Sequence, residues 1–187
     1  MSVKEKKRGR PSGSNKHLSQ DSIMNMAKSL MKEDGKVPSI RKLALHLNVD
    51  AMAIYYYFSN KNALLETITT SLIEDIYQPD SKEGWENELN LLCASYLALL
   101  QTYPGLLETL LSMSSHSPAA VFTERFNAVI RKLNLSNEAK KNALDLLADY
   151  LHGFALALNC NQAESINITE YIKGPLHFYC VALKHSN

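Results

Sequence analysis

Three cysteines, seven glycines, six prolines and one tryptophan are spread over 187 residues. Glycine this sparse excludes a collagen-like repeat, and a hydrophobic share of 45% excludes a chain too polar to fold. Cys93, Cys160 and Cys180 are odd in number, far apart and set in apolar stretches. They provide neither a disulfide framework nor the paired spacing of a metal site, and predict free thiols buried in a core. Long hydrophobic runs are missing as well. The longest uncharged stretch, Leu89–Leu107, is interrupted by Asn90, Ser95, Gln101 and Pro104, and the mean hydropathy is −0.20, so no transmembrane helix is expected. The N-terminus is basic but lacks the apolar segment of a secretory signal, which makes a cytoplasmic protein the expectation.

Net charge is also nearly absent, at +1, yet it is unevenly distributed. Residues 1–61 hold 12 Lys/Arg against 5 Asp/Glu, and the remaining 126 residues hold 8 against 14. The first part is therefore +7 and the second −6. Such a division predicts a module that meets a polyanion, followed by an acidic module with another task.

Residues 1–18 form a polar, Lys-, Gly- and Ser-rich arm without apolar periodicity, expected to be flexible. Ser19 precedes Ile23, Met26, Ala27, Leu30 and Met31, the spacing of an amphipathic first helix that ends before Gly35. Ser39 is an N-cap for a short second helix with Ile40, Leu43, Ala44 and Leu47 on one face, and Asn48 suits a left-handed turn. A third short helix follows from Asp50 to Tyr57, and together these make a helix-turn-helix pattern. Asn60 caps a fourth helix that is expected to end near Gln78-Pro79, and Trp85 opens a fifth. Pro104 is expected at the first position of a sixth, with a loop over Ser112–Pro118 and a seventh helix over Ala119–Leu133. Ser136 caps an eighth that runs toward Gln162, and the ninth, Thr169–Lys184, contains Gly174-Pro175, which should kink or delay it. No stretch has strand periodicity. The expected fold is all-α with about nine helices: a helix-turn-helix head over residues 19–61, joined through the fourth helix to a body over residues 62–187.

The run Ser39–Leu65, with Arg41-Lys42-Leu43-Ala44, the Asn48-Val49 turn, Tyr55-Tyr56-Tyr57-Phe58, Lys61 and Leu64-Leu65, resembles the DNA-binding signature of TetR-type transcriptional repressors. The resemblance covers about residues 19–78; beyond it, only length and helical content agree. Two departures stand out: Asn48 replaces the usual turn glycine, and Ala53 replaces a frequent Thr or Ser, which removes a hydroxyl for phosphate.

Independently of the resemblance, a helix-turn-helix places its second helix in the major groove with the N-terminal residues against base edges. Ala51, Met52 and Tyr55 share a face turned away from Ile54 and Phe58, and short apolar groups there suit thymine methyls better than paired base hydrogen bonds. Arg41 can grip guanine through O6 and N7, and the resemblance implies a base reader at this position in some members. It also implies phosphate contacts by Ser39, Tyr55, Tyr57 and Lys61. The tyrosine run has a second reading as core, into which Phe58 and part of Tyr56 are placed. Arg8-Gly9-Arg10-Pro11 resembles the centre of an AT-hook, whose Arg8 and Arg10 would enter a narrow minor groove; a solvated tail is the other reading of the same residues.

For the acidic body the resemblance implies a small-molecule cavity within helices five to seven and a homodimer through the last two helices. The wide apolar surface of helix eight, with Ala143, Leu144, Leu147, Tyr150, Leu151, Phe154 and Leu158, agrees with pairing to a second copy. Trp85, Cys93, Tyr96, Met113, Phe122, Phe126, His152 and Asn159 are the cavity candidates by helical face and chemistry, each with ordinary core packing as its other reading. His116 and His152 have no partner ligand at helical spacing, so no metal and no cofactor is expected. No nucleophile–base arrangement, phosphate loop or paired carboxylates stand out, and no enzyme is expected. The functional expectation is a regulator, most simply a repressor, released from a palindromic DNA operator by a small-molecule effector. The other classes are a ligand-independent architectural DNA-binding protein and a small α-helical enzyme.

Overall fold

The computed structural model describes residues 18–80, 82–161 and 167–186, which contain nine α-helices and no strand. None of these helices is long and apolar enough to cross a membrane. Arg8 and Arg10 lie outside the described residues.

Local sequence chemistry sets the head. α1 (Gln20–Asp34) begins in a reciprocal cap, in which Ser19 Oγ accepts the Ser22 amide and Ser22 Oγ accepts the Ser19 amide. α2 (Ile40–Leu47) is capped by Ser39, which accepts the Lys42 amide at 3.2 Å, and stops at Asn48, whose φ of 55° lies in the region that asparagine tolerates best after glycine. Asp50 Oδ1 accepts the Met52 amide at 2.7 Å to start α3 (Ala51–Tyr55), which ends two residues earlier than expected. Asn60 Oδ1 accepts the Ala63 amide at 2.9 Å to start α4 (Lys61–Glu74). Ile23, Ala27, Met31, Leu43, Ile54, Phe58, Leu64 and Ile68 close over one another as the buried centre of this region.

The body consists of α5 (Trp85–Thr102), α6 (Leu106–Ser112), α7 (Ser117–Ile130), α8 (Asn137–Asn161) and α9 (Ile168–Lys184), with a 3₁₀ turn at Arg131–Leu133. α9 packs along α5 through Ile172, Leu176, Cys180 and Leu183. Tyr179 Oη donates to the Ala143 carbonyl at 2.7 Å, tying α9 to α8. Pro175 sits inside α9 without breaking it. Gly174 offers no Cβ to clash with the proline ring, and Ile172, Leu176 and Cys180 stay buried on both sides of it.

Four expectations change. α4 ends at Glu74, short of Gln78, because Arg125 of α7 takes the carbonyls that further turns would have used. Pro104 stands in a turn before α6, which begins only after Gly105 at φ 81°. α7 starts earlier, at Ser117, with Pro118 in its first turn, where a missing N–H costs nothing. Cys93 and Cys180 are buried, but Cys160, on the outer side of α8, is exposed.

Head and body also meet backbone to backbone. A Cβ on Gly105 would stand 2.2 Å from the carbonyl oxygen of Gly35, the left-handed residue that ends α1. This approach requires glycine at 105 twice over, for φ and for space.

Candidate functional site

Two surfaces draw attention, and α4 runs between them. The first is the outer side of α2 and α3. Ser39 and Arg41 are exposed at the start of α2, Met52 is 71% exposed, Tyr55 is exposed, Ala51 and Ala53 are half-buried between them, and Lys61 is exposed at the first position of α4. Large apolar and aromatic groups left in water beside an exposed guanidinium and ammonium form a surface suited to base edges and phosphates. Tyr57 differs from Tyr55: its hydroxyl donates to the Leu18 carbonyl at 2.5 Å and fastens the end of α3 to the start of α1. Tyr56, assigned in part to the core, is instead 87% exposed and meets Tyr57 edge-on at 5.4 Å, because its backbone is still right-handed helical and sets its ring opposite the buried Ile54 and Phe58. Phe58 is buried.

The second is a cavity of about 340 Å³ bounded by α4, α5, α6, α7 and α8. Its walls are Ile73, Tyr96, Leu110, Leu111, Ser115, Pro118, Ala119, Phe122, Thr123, Leu144, Asp145, Ala148, Leu151 and His152. The volume falls within the usual range for small-molecule sites, and a mostly apolar wall with few polar groups is their usual construction. Tyr96 Oη lies 2.9 Å from His152 Nε2, and the Tyr96 and Phe122 rings are 4.9 Å apart. Burial pushes the Tyr96 phenol well above its ordinary value. Burial also lowers His152, against an opposing pull from Asp149. Both shifts favour the neutral phenol and the neutral imidazole, which share one hydrogen bond whose donor is set by the imidazole tautomer.

Of the residues expected from sequence to line a cavity, Tyr96, Phe122 and His152 are brought together in this one. The others stand elsewhere. Cys93 and Phe126 are fully buried against neighbouring helices, with no open volume beside them. Trp85 is half-buried at the start of α5 with Lys184 Nζ 5.9 Å over its ring. Met113 accepts the Thr69 hydroxyl at 3.5 Å. Asn159 lies exposed beside Gly35, Lys36 and Gly105 in a separate open groove. Among the described residues no group of three or more His, Cys, Asp or Glu is placed to hold a metal.

Two residues missed in the sequence join the cavity to α4. Glu66 accepts hydrogen bonds from Ser115 Oγ at 2.6 Å and Ser117 Oγ at 2.5 Å, which hold its carboxyl below its ordinary value. Arg125, 9% exposed, donates through Nη1 to the Ile76 carbonyl at 2.5 Å and through Nη2 to the Glu74 carbonyl at 2.8 Å. A guanidinium at the C-terminal end of a helix meets the negative pole of its dipole. The signal for Arg125 was present: it interrupts the buried register Phe122, Phe126, Val129 of α7. For Glu66 no local pattern existed, since its partners lie about fifty residues away.

The fold and these two surfaces define a helix-turn-helix regulator of the type with a built-in chamber. The family model of bacterial regulatory proteins of the TetR family matches residues 23–68, and that of the tetracyclin repressor-like C-terminal domain matches residues 78–170. The chain belongs to the TetR family. Its structure is similar to that of ActR from Streptomyces coelicolor in complex with actinorhodin, with a TM-score of 0.75 and 17% identity over 90% of this chain and 96% of that one. It is also similar to BioQ with its double-stranded DNA operator, with a TM-score of 0.72 and 17% identity over 90% of this chain and 99% of that one. A TetR variant from Acinetobacter baumannii AYE in complex with minocycline gives a TM-score of 0.68 and 21% identity over 90% and 95% of the two chains. No curated protein matches the sequence significantly.

Proposed function

We propose that this TetR-family chain is a DNA-binding transcriptional repressor, cytoplasmic and not catalytic, that leaves a palindromic operator when a small molecule occupies the cavity. The observation that carries this is the course of α4: Lys61, at its start, borders the exposed reading helix, and Ile73, near its end, is part of the cavity wall. BioQ in complex with an operator and ActR in complex with actinorhodin support a DNA partner and a small-molecule partner in turn.

Residues 19–61 would be the reading head and residues 62–187 the sensing and pairing body. Ser39, Arg41, Ala51, Met52, Ala53, Tyr55 and Lys61 face the DNA; the Tyr57 hydroxyl, already bonded to Leu18, orders the head. Arg125 anchors the far end of α4, while Ser115, a cavity residue, holds Glu66 midway along it. An occupant that draws the turn carrying Ser115 and Ser117 away from Glu66 frees α4 to tilt about its anchored end, and the head moves with it. The shift is bounded by the occupant's differential affinity for the two tilts.

A second copy completes the device. α8 leaves Leu146 at 62% exposure, and α9 leaves Tyr171 at 61% and Phe178 at 78%. With Val181 also exposed, Tyr171, Gly174, Phe178 and Val181 follow one stripe of α9. Two-fold pairing over these stripes presents two heads to successive major grooves.

Fluorescence anisotropy of the purified chain with duplexes from the DNA flanking its own coding region, at physiological salt, tests the proposal. Selective retention of one palindrome is expected. Uniform retention of every duplex, with a steep salt dependence, would support the architectural alternative, and absence of retention would overturn both.

A further inference from the structure

Two of the polar side chains on the cavity wall are already engaged within the protein. Tyr96 Oη and His152 Nε2 share one hydrogen bond, and Ser115 Oγ donates to Glu66 at 2.6 Å while accepting the Ser117 amide at 3.2 Å, so Ser115 can offer an occupant only acceptor capacity. Asp145 adds a carboxylate, which can only accept. The Thr123 hydroxyl can turn either way, and the Tyr96–His152 pair keeps one of its two protons free, on the ring or on the phenol. Among the described residues no Lys or Arg lines this cavity.

The charges just outside point the same way. Glu66 stands behind Ser115, and Asp149 is close enough to His152 to act on its proton. Lys141 pairs with Asp145 at 2.5 Å, but that ammonium is 74% exposed and held at the rim by a single surface contact. Lys140 and Arg131 border a different, open groove across Thr123 and Leu144, where water and salt screen them. A cleft with mainly carbon walls, with the 56% exposed Asp145 carboxylate at its rim and Glu66 and Asp149 behind it, carries a negative potential that solvent screens only in part.

Taking the cavity as the effector site, we infer that its occupant is a mainly apolar organic molecule carrying a protonated amine or another cationic hydrogen-bond donor, and that organic anions of the same shape are excluded. The apolar part lies against Phe122, Leu110 and Leu151. The cationic head reaches Asp145 and the oxygens of Tyr96 and Ser115.

Isothermal titration calorimetry of the full chain without DNA tests this with three probes of one shape: phenylbutylamine, phenylbutanol and phenylbutyrate. At neutral pH they carry a positive charge, none and a negative charge. The amine should bind tightest and the carboxylate weakest, with a spread of about tenfold. Asp145→Asn should narrow the amine-to-carboxylate ratio by about threefold, and Lys141→Gln, on an exposed side chain, should widen it. Equal or tighter binding of phenylbutyrate, no binding of any probe, or a ratio indifferent to both substitutions would overturn the inference. Anisotropy with the operator is run in parallel. A wrong charge class appears as an inverted probe order with DNA retention intact, whereas failure of the repressor proposal appears as lost DNA retention whatever the probe order.

Discussion

Arg125→Ala is the substitution for which the structure allows the most definite magnitude. The guanidinium is 9% exposed and faces the last carbonyls of α4, with 2.5 Å to Ile76, 2.8 Å to Glu74 and longer approaches of 3.4 Å to Ile73 and 3.5 Å to Tyr77. Each short bond to a charged donor contributes about 1.5–3 kcal/mol net, and the longer pair add little. Against this stands the cost of burying a charge that has no carboxylate partner among the described residues, offset in part by the helix dipole. Removing the side chain should therefore destabilise the chain by about 4 kcal/mol. At about 2–4 °C per kcal/mol for a chain of this size, that is a fall in Tm of about 8–16 °C. Arg125→Lys, which can reach one carbonyl but not fork to two, should lose about half as much. Thermal unfolding followed by circular dichroism at fixed protein concentration measures both, the concentration being held because pairing of subunits shifts Tm. If Arg125→Ala lies within about 1 kcal/mol of the parent, the carbonyls are adequately served by water, and Arg125 is not the anchor of α4.

Arg41→Ala should cost about 1–3 kcal/mol on the preferred operator and relax preference at one base pair; an equal loss on every duplex would make it a phosphate contact. Tyr55→Phe should weaken operator binding without changing Tm, whereas Tyr57→Phe should lower stability by about 1 kcal/mol through the lost bond to Leu18; reversed outcomes in anisotropy and melting would exchange their roles. Because burial lowers His152, its imidazole takes up a proton more readily in the unfolded chain than in the folded one. Stability should thus be full above an unfolded value of about 6.5 and fall as pH drops below it toward the lowered folded value. His152→Gln should remove that part of the Tm-versus-pH slope, and an unchanged slope would assign it to other groups. Phe178→Glu, at a side chain 78% exposed in the single chain, should yield a monomer of unchanged helicity by light scattering; a persistent dimer would place pairing elsewhere.

The start of each head helix was legible because N-caps act over three residues: Ser19, Ser39 and Asn60 each bind an amide within their own first turn. The left-handed stop at Asn48 belongs to the same class of local chemistry. The end of α4 was not legible, since it depends on a guanidinium about fifty residues further along the chain. The tyrosine run shows the limit at single-residue scale. Tyr55, Tyr56 and Tyr57 are chemically alike, and only packing distinguishes an exposed Tyr56 from a Tyr57 bonded to the backbone of residue 18. Periodicity turned both Cys93 and Tyr96 inward on α5, but whether an inward side chain meets another helix or an open volume depends on where five helices fail to fill space.

By itself, then, the sequence determined the all-α class, the helix-turn-helix with its Arg41 and tyrosine surface, and the division of charge between a basic beginning and an acidic remainder, because propensity, capping and charge are properties of neighbouring residues. Only the tertiary structure decided the cavity with its Tyr96–His152 pair, the Arg125 anchor, the Glu66 contact and the backbone approach of Gly105 to Gly35. Each of these joins groups distant in the chain, and their distances follow from how the helices pack.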